Sequence, residues 1–223
     1  MCGRFTLTED RGVVARRFGA PPAHGGGTAP RFNIAPTQLV VTVTDDGARQ
    51  IEPMRWGLIP HWAKDPKIGN KLINARAETL AEKPSFREAL KKRRCLIPAD
   101  GFYEWHNVGG KKQPLRIVLK DRQPFAFTGL WDEWRPLDGS PAVRTCTIIT
   151  CAPNELMAQV HHRMPVILPP EREAAWLDPR ETNTDALLSL LVPYPADQME
   201  IYRVSALVNS PESDVVQCAL PLE

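Results

Sequence analysis

Proline limits what this chain can become. The chain holds 22 prolines among 223 residues, about double the ~5% of an average protein. Proline has no backbone N–H, and its ring clashes with the preceding helical turn, so helix interiors and central strands tolerate it poorly. Turns, loops and strand edges should therefore be abundant. The length allows a real core and fits one large domain or two small ones. No linker interrupts the chain, so a single domain over residues 1–223 is expected.

The local patterns agree. Glu9–Phe18 has its acidic residues first and basic residues last, which suits a short helix. Thr79–Lys92 contains a helix with Phe86, Ala89 and Leu90 on one face, while Pro170–Leu177 and Thr184–Leu191 read as helices. Leu39–Thr44, Cys95–Pro98, Leu115–Leu119, Pro124–Leu130, Arg144–Thr150 and Met199–Val204 read as strands, and Asn107–Lys112 as a hairpin turn. Pro21–Pro30, with Gly25-Gly26-Gly27, reads as a mobile loop. Many strands and few helices point to an α+β fold, with an antiparallel or mixed sheet curled toward a barrel and helices at its periphery.

No apolar run approaches the ~20 residues of a membrane span, and the N-terminus lacks the apolar core of a signal peptide. A soluble, cytoplasmic protein is expected. The five cysteines are odd in number, scattered and without a C-x-x-C pair, which disfavours a disulfide framework and a structural zinc site. Cys146 and Cys151 lie in an apolar strand, as buried thiols do. No metal is expected. The net charge of +2 hides an asymmetry. Residues 1–120 carry 21 Lys and Arg against 11 Asp and Glu, giving +10, and residues 121–223 carry 7 against 15, giving −8. Either the first half binds a polyanion or the halves neutralise each other in space.

Five segments hold chemistry-bearing residues. Removal of Met1 would leave Cys2 with a free α-amine (ordinary pKa about 8) beside a thiol (about 8.5). Such a 1,2-aminothiol traps aldehydes: the amine forms a Schiff base and the thiol closes a five-membered thiazolidine. Gly3 permits close backbone approach, and Arg4 suits a phosphate. In Asn74-Ala75-Arg76-Ala77-Glu78-Thr79, Asn74 can accept from an ammonium and Arg76 can clamp a phosphate, or the segment is a capped helix start. Glu104 sits among aromatics in Phe102-Tyr103-Glu104-Trp105, on the same strand face as Phe102. Held there, it would titrate above its usual range and shuttle protons, or else it is a half-exposed strand glutamate. In His161-His162-Arg163-Met164-Pro165, histidine is the natural proton carrier near pH 7. Adjacent histidines should point apart, so one at most would act. Trp62, near Lys64 and Lys67, is either a base-stacking platform or core, whereas Trp56 reads as core. The run Lys91-Lys92-Arg93-Arg94 serves a helix dipole or a DNA backbone.

In order and spacing these segments resemble the SRAP family, the SOS-response-associated peptidases or abasic-site-processing proteins. The matching pieces are Met1-Cys2-Gly3-Arg4-Phe5, Arg31-Phe32-Asn33-Ile34-Ala35-Pro36, Arg55-Trp56-Gly57-Leu58-Ile59-Pro60, Asn74–Thr79, Asp100-Gly101-Phe102-Tyr103-Glu104-Trp105, His161–Pro165 and Val204-Ser205. The resemblance implies that Cys2 forms a thiazolidine with a ring-opened abasic sugar. Asn74 would orient the N-terminus and the sugar, and Glu104 would assist Schiff-base formation as acid and base. His161, the first histidine of its motif, would move protons at the sugar oxygen. Arg4, Asn33, Arg76 and Arg163 would contact the DNA backbone, and Trp62 would lie in a loop that wedges against a duplex end. The glycine-rich insert at Gly25–Gly27 matches no motif of the family.

The implied partner is single-stranded DNA with abasic sites, including single-strand/duplex junctions. The implied protein is a DNA-associated monomer without cofactor that also has some β-elimination lyase activity. The same Cys2 would serve an N-terminal-nucleophile or autoproteolytic cysteine peptidase, with its own amine as base. A non-catalytic binder of modified bases would have no use for a terminal cysteine.

Overall fold

The computed structural model describes residues 2–21 and 29–222. The expected loop over Pro21–Pro30 lies mostly outside them. The elements in chain order are β1 (Phe5–Leu7), α1 (Arg11–Phe18), β2 (Arg31–Ile34), β3 (Leu39–Asp45), β4 (Arg49–Trp56), β5 (Asn74–Arg76), α2 (Arg87–Lys92), β6 (Arg94–Ala99), β7 (Gly101–Val108), β8 (Lys111–Leu119), β9 (Phe125–Trp134), β10 (Val143–Cys151), α3 (Glu155–Ala158), β11 (Met164–Pro165), β12 (Ile167–Leu168), α4 (Pro170–Leu177), α5 (Thr184–Ser189) and β13 (Met199–Arg203).

Five strands close on themselves in the order β10-β4-β3-β6-β9, with β9 pairing back to β10. The β10–β4 pairing is parallel and the other four are antiparallel, so the barrel is mixed. A second, antiparallel sheet of five strands runs β13-β8-β7-β1-β2. It leans on the barrel through edge-to-face aromatics: the Phe5 ring is 5.3 Å from Trp56 and 5.6 Å from Phe127, and Phe102 is 5.9 Å from Phe127. Strands β6 and β10 are covered on both faces, and every residue from Arg94 to Ala99 and from Thr145 to Cys151 is buried. This is the expected α+β fold with a sheet curled into a barrel.

The prolines explain where pairing stops. Pro53 lies in β4 before its β10 pairing begins at Arg55, and Pro98 lies in β6 past its single β3 contact at Leu96. Pro114 lies in β8 just beyond the last β13 pair, at Leu115, and Pro165 lies in the two-residue strand β11. Each proline inside a strand thus sits where one side has no neighbouring strand to receive an N–H. The expected hairpin is present between β7 and β8, where Gly109 and Gly110 take φ of 57° and 84°. Two consecutive positive φ values are what a tight two-residue hairpin turn demands.

Two expectations need correction. Within Thr79–Lys92 the α-helix runs only over Arg87–Lys92, because Pro84 cannot donate within a helix and the preceding residues form turns. The basic run at its end is not a uniform surface either. Arg94 is 5% exposed, and its guanidinium donates to the carbonyls of Leu90, Lys91, Trp176, Asp178 and Glu181, joining α2 to the chain after α4. Only Lys91 and Lys92 of the run face solvent.

Candidate active site at the N-terminal strand

Strand β1 is threaded between β2 and β7, with Phe5 opposite both Ile34 and Phe102. Asp100, at the β6–β7 corner, locks it there. Its carboxylate accepts from the Thr6 hydroxyl, from Thr8 N–H and hydroxyl, and from Arg116 Nη2 at 3.1 Å. Tyr103 N–H then donates to Arg4 O at 3.0 Å. The pairing carries the chain inward, so that Cys2 is fully buried in the main core.

Asn74 begins β5, which adds in parallel to β10 with Asn74 opposite Ile148. Its Nδ2 donates to Cys2 O at 2.9 Å, and its Oδ1 is buried with no hydrogen-bond partner among the described residues. Glu104 follows Phe102 on the inward face of β7 and is 4% exposed. Burial, and then the Glu104 carboxylate, push the Cys2 thiol far above its ordinary range.

His161 follows α3, whose first turn is capped by the Asn154 side chain. Its backbone N–H reaches Met157 O at 2.8 Å. His161 Nδ1 lies 3.0 Å from the Arg163 backbone N and 3.2 Å from Arg163 O, so the Arg163 backbone holds the ring on that side. Burial lowers the His161 pKa, the Glu104 carboxylate opposes this, and His162 lowers it further. Glu104 thus acts electrostatically on both Cys2 and His161, and the fold brings the three together. The two histidine rings do not point apart as expected. They stack at 4.3 Å with 26° between their planes, because the tight turn after α3 leaves both on one side.

The residues expected at DNA divide into two groups. Trp62 is 50% exposed, and Arg76 is exposed at the end of β5. The other three are engaged within the protein. Arg163 makes a two-pronged pair with Glu78 (2.8 and 3.0 Å) and also donates to Thr150 O. Arg4 donates to Asn33 Oδ1 at 2.8 Å and to Val208 O at 2.7 Å. Asn33 is fully buried and donates to Val208 O, Ser210 O and Ser213 O. Arg4 and Asn33 thereby strap residues 205–214 across β1 and β2, beside the cysteine. Sequence reasoning gave no role to Glu78 or Asp100. Glu78 meets Arg163 across 85 residues and Asp100 meets Thr6 across 94, separations at which spacing carries no signal.

Fold and site together define a class: a small mixed barrel with an added antiparallel sheet, bringing a cysteine at position 2 together with a buried carboxylate, an amide and an imidazole. The sequence profile of the SOS response associated peptidase (SRAP) family matches residues 1–211, and the chain belongs to that family. The abasic site processing protein YoqW of Bacillus subtilis (strain 168) is 52% identical over 217 residues, covering 96% of each chain. The abasic site processing protein HMCES of Gallus gallus is 36% identical over 202 residues, covering 80% of this chain and 60% of that protein. A crystal structure of a protein from Bacteroides thetaiotaomicron superposes with a TM-score of 0.89 at 29% identity, covering 99% of this chain and all of that one.

Proposed function

We propose that this protein processes abasic sites in single-stranded DNA, capturing them covalently through Cys2 after removal of Met1. One contact carries most weight: Asn74 holds the Cys2 carbonyl at 2.9 Å while its own Oδ1 stays buried without a donor among the described residues. An amide fixed in this way suits the orientation of an α-amine on the same residue. The relatives named abasic site processing proteins support the same substrate.

The chemistry balances without a cofactor. The Cys2 amine adds to the aldehyde of the ring-opened sugar to give a carbinolamine. Protonation of its hydroxyl, from Glu104 or from His161, expels water and leaves the Schiff base. The thiol sulfur then bonds to the imine carbon as its proton departs to the carboxylate, and the imine nitrogen ends as a secondary amine. The net change is aldehyde plus aminothiol to thiazolidine plus water. Burial raises the pKa of the thiol, so ring closure needs a base, a role that the buried Glu104 carboxylate suits. Loss of a proton from the Schiff base carbon chain instead breaks the strand by β-elimination, a slow side reaction.

A peptidase would use the same cysteine with its own amine as base, and would cleave a peptide without needing an aldehyde. The test is a denaturing gel of purified protein with an oligonucleotide carrying one abasic site, an intact-base oligonucleotide and the Cys2→Ala variant. A heat-stable, slowly migrating band is expected only from the abasic strand with the unaltered protein. Absence of that band from Met1-processed protein overturns the proposal.

A further inference from the structure

The loop between β4 and β5 holds a polar cluster that the scheme above does not use. The loop is pinned at four points. Ile59 N–H donates to Thr145 Oγ1 at 2.8 Å, His61 N–H to Asp132 Oδ2 at 3.0 Å, Ala63 N–H to Pro60 O at 2.8 Å, and Trp134 Nε1–H to Ala63 O at 2.7 Å. Trp62 lies between these held residues with its side chain half-exposed, and is followed by the exposed Lys64 and Lys67.

The His61 ring is turned so that Nδ1 lies 3.0 Å from Asp132 Oδ2. Asp132 is 5% exposed and His61 is 55% exposed. The carboxylate also accepts from His61 N–H and Glu133 N–H and faces Arg93 Nε at 3.2 Å, so it is an acceptor on every side. Nδ1 must therefore carry a proton. The other ring nitrogen, Nε2, is at the corner away from the buried Asp132 and has no hydrogen-bond partner among the described residues. Neutral, it offers a lone pair, which repels a phosphate oxygen. Protonated, it becomes a charged donor.

We propose that His61, oriented by Asp132, is a proton-dependent docking residue for the DNA backbone: as imidazolium it donates from Nε2 to the phosphate beside a base stacked on Trp62. The inference rests on the DNA reading above. The charged groups around the ring come from three elements. From β9 there are Asp132 and Glu133, the latter engaged by Arg135 and Arg144. From the end of α2 there is Arg93, which offsets Asp132, and from the loop itself Lys64 and Asp65. A proton on His61 therefore adds net positive charge to a surface that already carries two exposed lysines. Binding to a phosphate draws a proton onto the ring, so affinity rises as pH falls.

The experiment is fluorescence anisotropy with a dye-labelled, intact-base single strand at pH 5.5 and pH 8.0, which reads docking without covalent capture. In the unaltered protein, Kd should be roughly three- to tenfold tighter at pH 5.5. His61→Gln should reduce that ratio to below about twofold and lower the salt slope by about 0.7 at pH 5.5, the value for one phosphate contact on a single strand. His61→Lys, a cation at both pH values, should restore tight binding with little pH dependence. Equal pH dependence in the unaltered protein and His61→Gln overturns the role of His61 and leaves DNA docking intact. Absence of binding at either pH overturns both this inference and the DNA reading. A retained Trp62 emission spectrum and unfolding midpoint in His61→Gln separate lost contact from lost fold.

Discussion

At the scale of single residues, the proposed capture divides the labour between two atoms of Cys2: the amine would make the Schiff base and the sulfur would make it permanent. Cys2→Ser keeps the amine and replaces a strong nucleophile by a weak one, so the heat-stable band should fall to below about a tenth while an adduct trapped by borohydride persists. If both disappear together, the serine has disturbed placement of the amine and the division is wrong. His161 has a testable sign as well. Burial lowers its pKa, so the ring is neutral at pH 7 and gains a proton only below histidine's ordinary value of about 6.5. His161→Gln should slow single-turnover crosslinking by about a hundredfold at pH 7, within the usual range for a lost acid–base group. The ratio of the two rates should grow as pH falls, since acid gives only the unaltered protein an imidazolium able to donate to the carbinolamine hydroxyl. Taking the ratio cancels the titration of the amine, which both proteins share.

At the scale of elements, the loop that carries His61 and Trp62 depends on a backbone contact no larger residue permits. Gly57 takes a φ of 125°, and a Cβ built on it would lie 2.7 Å from Gly69 O; one built on Gly69 would lie 2.7 Å from Gly57 O. Gly57→Ala therefore meets both a forbidden conformation and a backbone atom, and should cost about 2 kcal/mol or more, read as a lower urea midpoint at unchanged slope. An unchanged midpoint would mean that the 57–72 loop contributes little to the fold. The same elements show what a sequence discloses. The β7–β8 hairpin was legible because two glycines between alternating strands dictate the turn. The strands were legible from β-branched runs, and the site from short motifs. The closure of β9 onto β10 was not, since pairing partners leave no mark in either strand alone. Nor was the fate of Arg94 and Arg163, read as surface cations and found engaged inside, because distant carbonyls 82 to 87 residues from Arg94 and a carboxylate 85 residues from Arg163 hold them.

At the scale of the whole molecule, the charge asymmetry of the sequence survives folding only in part. Arg17 pairs with Glu173, Arg31 with Asp214 and Arg93 with Asp132, so basic residues of the first half are offset by acidic residues of the second. Among the described residues no helix is long and apolar enough to cross a membrane. The cations left exposed between the barrel and the site are Lys64, Lys67, Lys71 and Arg76, on the loop after β4 and on β5. These, and not the summed charge of the first half, should set the salt dependence of DNA binding. Each phosphate contact on a single strand steepens the slope of log affinity against log salt by about 0.7. Lys67→Ala with Arg76→Ala should therefore flatten the slope by up to about 1.4, weakening sequences of all compositions alike. Arg17→Ala, whose partner is Glu173 on α4, should leave the slope unchanged. A slope that responds to Arg17 and not to the loop would move the DNA track to the opposite side of the barrel, away from Cys2, and would break the link between docking and covalent capture.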